Sequence, residues 1–228
     1  ETKIAMSCGI SLILLPQTIG PFVNKKNEIL AHQILNYATQ IYVRDSQFVD
    51  KLKLWNLKYT VTKDLSAFMQ PEAWNIKIKE GSVGINISGL AYFNQFNSLA
   101  GHFYCYSALI ESIVTYFLKQ DKTIYIIPHS YNFHETEKNN DDLEASKSFL
   151  KKFQSSSNII LVNHDLTAPQ IKYVISKMSF FIGTRMHSNF AAIYSGVPVF
   201  GLAYSYKFKG GFDRNGLDGY QQTASIID

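Results

Sequence analysis

Short apolar runs alternate with longer amphipathic segments along most of the chain. After residue 81, the apolar runs predict strands at 83–87, 123–127, 158–162, 180–182 and 197–202. Apolar residues recur at helical spacing between these runs, as in Ile110, Val114 and Phe117, then Leu143 and Leu150. A further helix is predicted around residues 171–178, and another begins near residue 187. Strands that alternate with helices indicate an α/β class with a parallel sheet covered on both faces.

The first third of the chain has the same alternation with fewer strands. Strands are predicted at 11–15, where Pro16 ends the run, and at 41–43 and 58–62, with a helix at 28–40. Ser46 is a predicted N-cap for a helix that buries Val49 and Leu52. Three strands are few for an open parallel sheet, and the chain starts without methionine. We therefore expect part of the N-terminal domain to be missing.

Residues 70–81 form a predicted connection between two domains. This stretch holds Pro71 and Trp74, and then a lysine-rich segment that ends at Gly81. We place the N-terminal domain at 1–78 and the C-terminal domain at 79–228. The last residues, 224–227, are apolar enough to begin another element.

Polar side chains follow the predicted strands, at the sheet edge where α/β proteins bind ligands. In the C-terminal domain these are Ser88-Gly89, His129, Asn163-His164-Asp165, Arg185 with His187, and Tyr204 to Lys207. In the N-terminal domain they are Gln17 to Gly20, Arg44-Asp45 and Asp64.

Arg185 and His187 have the most informative positions, because they lie between a strand and the start of a helix. An arginine there can clamp a carboxylate or a phosphate, and the helix N-terminus favours anions. A histidine there can donate to an anion or transfer a proton. The alternative is an arginine that binds strand carbonyls and a histidine that caps the helix.

Lys207 and His129 are further candidates. Lys207 precedes Gly210 and Gly211, so we expect it in a loop from which it reaches back to neutralise a phosphate, although a solvated loop lysine is an equal alternative. His129 ends a strand, although a structural role is an equal alternative. Asp141-Asp142 opens the next helix, where the helix dipole favours acidic residues anyway, so function there is less favoured.

Composition narrows the class of protein. Of the 228 residues, 46% are hydrophobic and 18% charged, and the net charge is +4. The basic residues are dispersed, which argues against a nucleic-acid surface. Cys8 and Cys105 lie far apart without metal spacing, so we expect reduced, buried thiols and a cytoplasmic protein. The apolar runs are too short to span a bilayer, and the first residues given do not have the basic and then apolar pattern of a signal peptide.

In the order of its motifs the chain resembles the polysaccharide pyruvyl transferase family. The first motifs are Leu15-Pro16-Gln17-Thr18-Ile19-Gly20-Pro21-Phe22, Val43-Arg44-Asp45-Ser46, Asp64-Leu65-Ser66-Ala67-Phe68 and Val83-Gly84-Ile85-Asn86. The later ones are Ile127-Pro128-His129, Asp142-Leu143, Gly183-Thr184-Arg185-Met186-His187, Gly196-Val197-Pro198 and Tyr204-Ser205-Tyr206-Lys207. The resemblance implies a GT-B-like fold of two Rossmann-like domains facing a cleft, the N-terminal one incomplete and a C-terminal tail absent.

The resemblance also implies an activity. Family members move pyruvate from phosphoenolpyruvate onto two hydroxyls of a sugar as a cyclic ketal, here for a cell-surface or capsular polysaccharide. Phosphoenolpyruvate is then a co-substrate, and no cofactor or metal is needed. The acceptor sugar is carried on a lipid or a nucleotide, and the enzyme works in the cytoplasm or in peripheral contact with the membrane's inner face.

The resemblance implies roles for particular residues. Arg185, His187 and Lys207 would hold the donor, with Ser88 and Gly89 beside them. Gln17 and Arg44 would bind the acceptor. The candidate acids and bases, in falling order, are His187, His129 and Asp64.

Two other functions stay open. A nucleotide-sugar glycosyltransferase of GT-B fold often has a glutamate five residues before the Gly of its Gly-x-Pro step, to hold the ribose. The corresponding residue here is Ala191, which disfavours that function. A non-catalytic Rossmann-like binding protein is the second alternative, and the presence of Arg185, His187 and Lys207 argues against it.

Overall fold

The fold is that of a computed structural model, which describes residues 2–153, 156–205, 207–219 and 221–228. The chain divides into two compact units. The first consists of Glu1–Phe68 with Lys209–Gly219, and the second of Met69–Phe208 with Tyr220–Asp228. The division therefore falls between Phe68 and Met69, whereas the sequence placed the boundary after residue 78.

The first unit contains a parallel sheet of three strands, in the order β1-β2-β3. The strands are β1 (Ile13–Gln17), β2 (Gln40–Val43) and β3 (Thr60–Val61), and the helices are α1 (Thr2–Ser7), α2 (Lys25–Tyr37) and α3 (Val49–Leu54). Apolar side chains from the strands and helices form its core, and they are Ile19, Leu35, Ile41, Val43, Val49 and Leu52.

Several strands and helices of this unit begin or end at residues other than those predicted from the sequence. Pro16 lies inside β1 rather than ending it, which is tolerated because β1 is an edge strand whose register is irregular between Leu14 and Gln17. The α2 helix starts earlier than predicted because the Asn24 side chain caps it. Ser46 is not the cap of α3, since the residue before that helix is Phe48, in a left-handed conformation.

The second unit contains a parallel sheet of six strands, in the order β6-β5-β4-β7-β8-β9. Its strands are β4 (Val83–Asn86), β5 (Ile124–Ile126), β6 (Ile159–Leu161), β7 (Phe180–Gly183), β8 (Val199–Ala203) and β9 (Thr223–Ser225). The first five confirm the predicted strands, and β9 confirms the expected element near the end. This is the strand order of the Rossmann fold, and the order reverses between β4 and β7.

The remaining helices follow the predicted rhythm. They are α4 (Gly89–Phe93), α5 (Tyr106–Leu118), α6 (Asp142–Leu150), α7 (Ala168–Ser176), α8 (Met186–Ile193) and α9 (Lys207–Arg214), with short 3-10 turns at Leu65–Ala67, Asn97–Leu99 and Lys151–Phe153. None of the helices in the described ranges is long and apolar enough to cross a membrane.

Two expectations were wrong. Lys207 does not lie in a loop, because it is the first residue of α9, a helix that buries Phe208 and Phe212 one turn apart. Cys8 and Cys105 are both exposed rather than buried. The Asp228 side chain is hydrogen-bonded to the Cys105 thiol and raises its pKa.

The segment after Met69 packs on the second unit. Lys172 of α7 is 2% exposed, and its Nζ donates to the Met69 carbonyl oxygen over 2.6 Å. Glu72 accepts a 2.9 Å hydrogen bond from the Gln170 side chain. These contacts explain why the division falls earlier than the sequence predicted.

The core of the second unit holds the sheet that positions the candidate site. Phe149 of α6 is fully buried beside Ile85, Ile126 and Ala145. We expect Phe149→Ala to lower the free energy of unfolding by about 3–5 kcal/mol, because it removes a buried ring and leaves a cavity. Urea denaturation measures this. Tyr116→Ala is the control, since Tyr116 is 58% exposed; a similar loss in both variants would contradict the assignment.

Candidate active site

The candidate site lies where β4 and β7 end side by side, at the reversal of strand order. Asn86, the last residue of β4, is fully buried and pairs in register with Gly183 at the end of β7. Its Oδ1 accepts a 2.9 Å hydrogen bond from the Arg185 backbone N–H. Its Nδ2 donates to the Ile127 carbonyl and to the Asp142 carboxylate, both over 3.1 Å. Asn86 therefore joins the ends of β4, β5 and β7 to the start of α6.

Asp142 is the most heavily bonded carboxylate of the site. It is the first residue of α6 and is fully buried. The described donors to its two oxygens number at least six: Gly89 N, Arg185 Nε and an Arg185 terminal nitrogen on Oδ1, and Asn86 Nδ2, His129 N and Ser130 N on Oδ2. This number of donors, together with the helix dipole, offsets the cost of burying a charge.

Arg185 is fixed by these partners in the turn before α8. Its Nε and Nη2 approach Asp142 Oδ1 to 3.0 and 2.8 Å, and Nη2 also donates to the backbone oxygen and side-chain oxygen of Asn140. Burial lowers the pKa of Arg185, but the Asp142 carboxylate and the Tyr204 side chain outweigh burial, so its pKa is raised. The guanidinium is held rigidly at the sheet edge as a permanent cation.

A chain of hydroxyl groups ties the two strand ends together beneath Arg185. The Ser88 N–H donates to the Tyr106 hydroxyl over 3.1 Å, and that hydroxyl lies 2.7 Å from Thr184 Oγ1. Thr184 Oγ1 in turn donates to the Asn86 carbonyl. Because that carbonyl can only accept, Tyr106 must be the donor to Thr184. Burial raises the pKa of Tyr106 and keeps it protonated.

Gly89, the first residue of α4, lets the start of α6 approach α4 closely. A Cβ at position 89 would lie 2.6 Å from the Asn140 carbonyl carbon and nearer still to the Asp141 backbone, so no larger residue fits without a backbone shift. The Gly89 N–H is used by Asp142 and the Ser88 N–H by Tyr106. These two residues are buried framework around the site.

Two histidines stand beside the Arg185–Asp142 pair. Burial lowers the pKa of His129 from 6.5 to about 4; Asp142 opposes this shift, whereas His187 and Arg185 add to it. The His129 imidazole is therefore uncharged at neutral pH. His187, the second residue of α8, is exposed, and its ring lies edge-on to Phe190 with centroids 5.8 Å apart.

The segment after β8 also reaches this site. Tyr204 follows β8, and its side chain helps to raise the pKa of Arg185. Lys207 begins α9 shortly afterwards and is partly exposed. Tyr206, which belongs to the same motif, lies outside the described residues.

In the first unit a separate cluster gathers at the carboxyl ends of its strands. Arg44 Nη1 donates to Asp64 Oδ2 over 2.8 Å, and its Nε donates to Thr18 Oγ1 over 3.2 Å. Thr18 donates to Asp45, and Asp64 also accepts from both the backbone and hydroxyl of Ser66. One cation stands between two carboxylates, so this edge does not attract an anion.

A cavity adjoins that cluster within the first unit. It has a volume of about 220 Å³ and lies between the end of β1 and α2. Gln17, which is exposed, and Thr18 line it together with apolar side chains such as Phe22 and Leu35. Gln17 and Arg44, predicted from the sequence to act together, thus lie at the same edge of one small sheet.

Sequence reasoning underestimated Asp142 and missed Asn86 and Asn140 as site residues. In the sequence, the helix dipole alone explains an aspartate at position 142. Its burial and its many hydrogen-bond donors depend on how three strand ends meet in the folded protein. The sequence did indicate Asn86, since it is a polar residue at the end of a predicted apolar strand.

The fold and this site define an α/β protein of GT-B-like class with a cluster of buried charged and polar side chains at the sheet edge of its second unit. The chain matches the polysaccharide pyruvyl transferase family over residues 1–206. It therefore belongs to that family, a group of transferases of polysaccharide biosynthesis. No curated protein matches the chain.

Similar solved structures come from nucleotide-sugar enzymes. The UDP-GlcNAc 2-epimerase of Methanocaldococcus jannaschii has a TM-score of 0.60 at 10% identity, with 98% of this chain and 61% of that one covered. The UDP-GlcNAc 2-epimerase of Neisseria meningitidis, bound to UDP-GlcNAc, has a TM-score of 0.54 at 12% identity, with 97% and 63% covered. The chain thus spans less than two thirds of either neighbour. At this identity the likeness shows the fold.

The Asp142–Arg185 pair gives a direct test of the framework. We expect Asp142→Asn to lower the free energy of unfolding by about 3–5 kcal/mol, because it leaves a buried guanidinium without its counter-charge and turns an amide toward donors. Glu144→Gln is the matched control in the same helical turn, since Glu144 pairs with Lys147 at the surface and should cost below about 1 kcal/mol. Equal losses in chemical denaturation would refute a special role for Asp142.

His129 should make the protein sensitive to acid. Its folded pKa of about 4 lies below its ordinary 6.5, so the unfolded chain binds a proton first as the pH falls. Stability from this group is complete above pH 6.5 and is lost between 6.5 and 4, by about 2–3 kcal/mol. The free energy of unfolding, measured across this pH range, should fall less steeply in His129→Gln than in the wild type. A His129 NMR titration midpoint near the ordinary value would contradict the burial argument.

Proposed function

We propose that the protein transfers pyruvate from phosphoenolpyruvate onto two hydroxyls of a sugar, forming a cyclic ketal during synthesis of a cell-surface polysaccharide. Membership of the polysaccharide pyruvyl transferase family supports a transferase that acts on a polysaccharide. The observation that carries the choice of donor is the cluster at the reversal of strand order, where Asp142 holds Arg185 in place and the exposed His187 lies in the first turn of α8. Phosphoenolpyruvate and activated sugars are cytoplasmic metabolites, which supports work on that side of the membrane.

The distribution of charge favours the second unit, rather than the first, as the one that binds the donor. Arg185 is balanced by Asp142, so the attraction for a phosphate and a carboxylate comes mainly from Lys207, from a protonated His187 and from the N-terminus of α8. Arg185 supplies a fixed guanidinium with little freedom to move. Ser88 and Gly89 contribute as framework, because the Ser88 N–H is bonded to Tyr106 of α5 and the Gly89 N–H to Asp142 of α6.

The reaction requires a proton donor and two proton acceptors in sequence. A proton adds to the methylene carbon of phosphoenolpyruvate and makes C2 electrophilic. One sugar hydroxyl attacks C2 and loses its proton, and the C–O bond to phosphate then breaks. The second hydroxyl attacks the same carbon and loses its proton, which closes the ring; the departing phosphate takes up one of these protons. The products are the ketal and inorganic phosphate.

The structure favours different roles for the two histidines. His187 is exposed at a helix start, so it is our candidate for the acid that protonates the methylene. His129 is uncharged at neutral pH, because of its pKa of about 4, and can accept a hydroxyl proton rather than supply one. Asp64 is bound by Arg44 and Ser66, so we assign it the positioning of Arg44 rather than proton transfer.

The acceptor is assigned to the first unit. Gln17 lines its cavity, and Arg44 lies between Asp45 and Asp64. This edge offers hydrogen-bond donors and acceptors without excess positive charge, which suits a neutral, hydroxyl-rich ligand. In this proposal the acceptor sugar is carried on a lipid or on a nucleotide.

The activity is tested by incubating the full-length protein with phosphoenolpyruvate and a set of galactosides and hexosaminides. We expect release of inorganic phosphate with formation of a product heavier by a pyruvate ketal, detected by mass spectrometry. Consumption of a nucleotide sugar with none of phosphoenolpyruvate would overturn the proposal in favour of a glycosyltransferase. Inertness toward both donors would favour a binding protein.

Two substitutions separate donor binding from proton transfer. Arg185→Lys should lower kcat/KM at least about 100-fold, because lysine cannot reproduce the geometry on Asp142 and Asn140. His187→Gln should keep most of the calorimetric affinity for phosphoenolpyruvate but lose transfer by about 100-fold or more. Arg214→Lys, on the exposed end of α9, is the control. Unchanged phosphoenolpyruvate binding and turnover in Arg185→Lys would refute the donor site.

A further inference from the structure

The loop that leaves the site after β5 has a rigid backbone. Its first residues, His129 and Ser130, donate their N–H groups to Asp142, and Asn132 donates to Asp141 Oδ2 over 3.1 Å. Asp141 is itself the N-cap of α6. The loop is thus tied at two points to the first turn of one helix.

The next turn of this loop is closed by a side chain. Asn132 Oδ1 accepts hydrogen bonds from the N–H groups of His134 and Glu135, both over 3.1 Å. Phe133, which lies between Asn132 and His134 in this turn, is 41% exposed. A single exposed ring is common on protein surfaces, so Phe133 becomes informative only together with the aromatic rings near it.

The neighbouring loop after β6 meets this turn. The Tyr131 hydroxyl donates to the His164 carbonyl over 2.8 Å and accepts from Leu166 N. His134 Nε2 lies 3.1 Å from Asp165 Oδ2 at the exposed surface. The two loops therefore form one continuous edge at the carboxyl ends of adjacent strands.

Aromatic rings line this edge. Trp74, which is partly buried, lies against the His164 ring with centroids 4.6 Å apart, and Phe133 lies 5.9 Å from His134. We name this surface the aromatic rim and define it by one set of residues: Trp74, Tyr131, Phe133, His134, His164 and Asp165.

We infer that the aromatic rim binds sugar units of the acceptor chain next to the unit that is modified. A pyranose ring has an apolar C–H face that packs on aromatic rings, and its hydroxyls can donate to a carboxylate such as that of Asp165. Glu135 and Glu137 add negative charge against Lys138, which disfavours a phosphate or a nucleotide. The rim therefore suits a neutral saccharide.

The geometry of the sheet relates the rim to the donor site. The strand β6 is two strands from β4 in the sheet order, which is about 10 Å, the span of a short saccharide. Three residues of the rim follow His129 within five positions on one loop, so this part of the rim lies near the donor site. This inference rests on the proposed function in one respect, since it identifies the saccharide as the acceptor.

Direct binding tests the rim without the donor. We would titrate the protein with tetrasaccharides of galactose and of N-acetylglucosamine, using calorimetry and saturation-transfer NMR without phosphoenolpyruvate. We expect at least one tetrasaccharide to bind, and Phe133→Ala and Trp74→Ala each to weaken it about three- to tenfold. Asp165→Asn tests the carboxylate with less change in packing. Tyr116→Ala, which removes an exposed ring from α5, should bind as the wild type does.

The outcomes separate this inference from the proposed function. Failure of both tetrasaccharides to bind, or wild-type affinity in the rim variants, overturns the rim whether or not the protein uses phosphoenolpyruvate. Binding that the rim variants weaken, in a protein that does not transfer pyruvate, upholds the rim and rejects the pyruvyl transfer. With an active enzyme, the rim variants should raise KM for a tetrasaccharide more than for a monosaccharide, with kcat little changed.

Discussion

The buried ion pair of Asp142 and Arg185 is the interaction on which the second unit's site depends. Removing two charges from water costs several kcal/mol, and only good geometry with full hydrogen bonding compensates for it. Asp142 meets this condition with donors from β4, from the loop after β5 and from the turn before α8. The pair therefore determines how the strand ends meet, as well as the local charge.

Other features of the site follow from that pair. Gly89 is needed because the start of α6 must approach the start of α4 closely enough for Asp142 to accept the Gly89 N–H. Asn86 must present its nitrogen to Asp142 and its oxygen to the Arg185 backbone, so its orientation is determined by its neighbours. His129 is held beside the pair and loses its charge through burial. Electrostatics and packing thus act on the same few groups.

Much of the fold could be predicted from the chain, because the strands of the second sheet are short apolar runs. Arg185 and His187 could be predicted as site residues, since they occupy a strand–turn–helix junction. The importance of Asp142 could not be predicted, because its hydrogen-bond donors come from segments far apart in sequence. Lys207 was misplaced because Gly210 and Gly211 suggested a loop, whereas the burial of Phe208 and Phe212 favours a helix. The exposure of Cys8 and Cys105 likewise depends on tertiary packing, which their spacing does not reveal.

The two carboxylates at the start of α6 anchor different parts of one loop. Asp142 holds the loop's beginning at His129, whereas Asp141 holds its turn at Asn132. Substitutions in the exposed residues 133–138 therefore leave the anchoring of His129 intact. Related proteins could diversify this turn to accommodate different polymers while the chemistry of the neighbouring site is conserved, in the way that antibody loops vary on a constant framework.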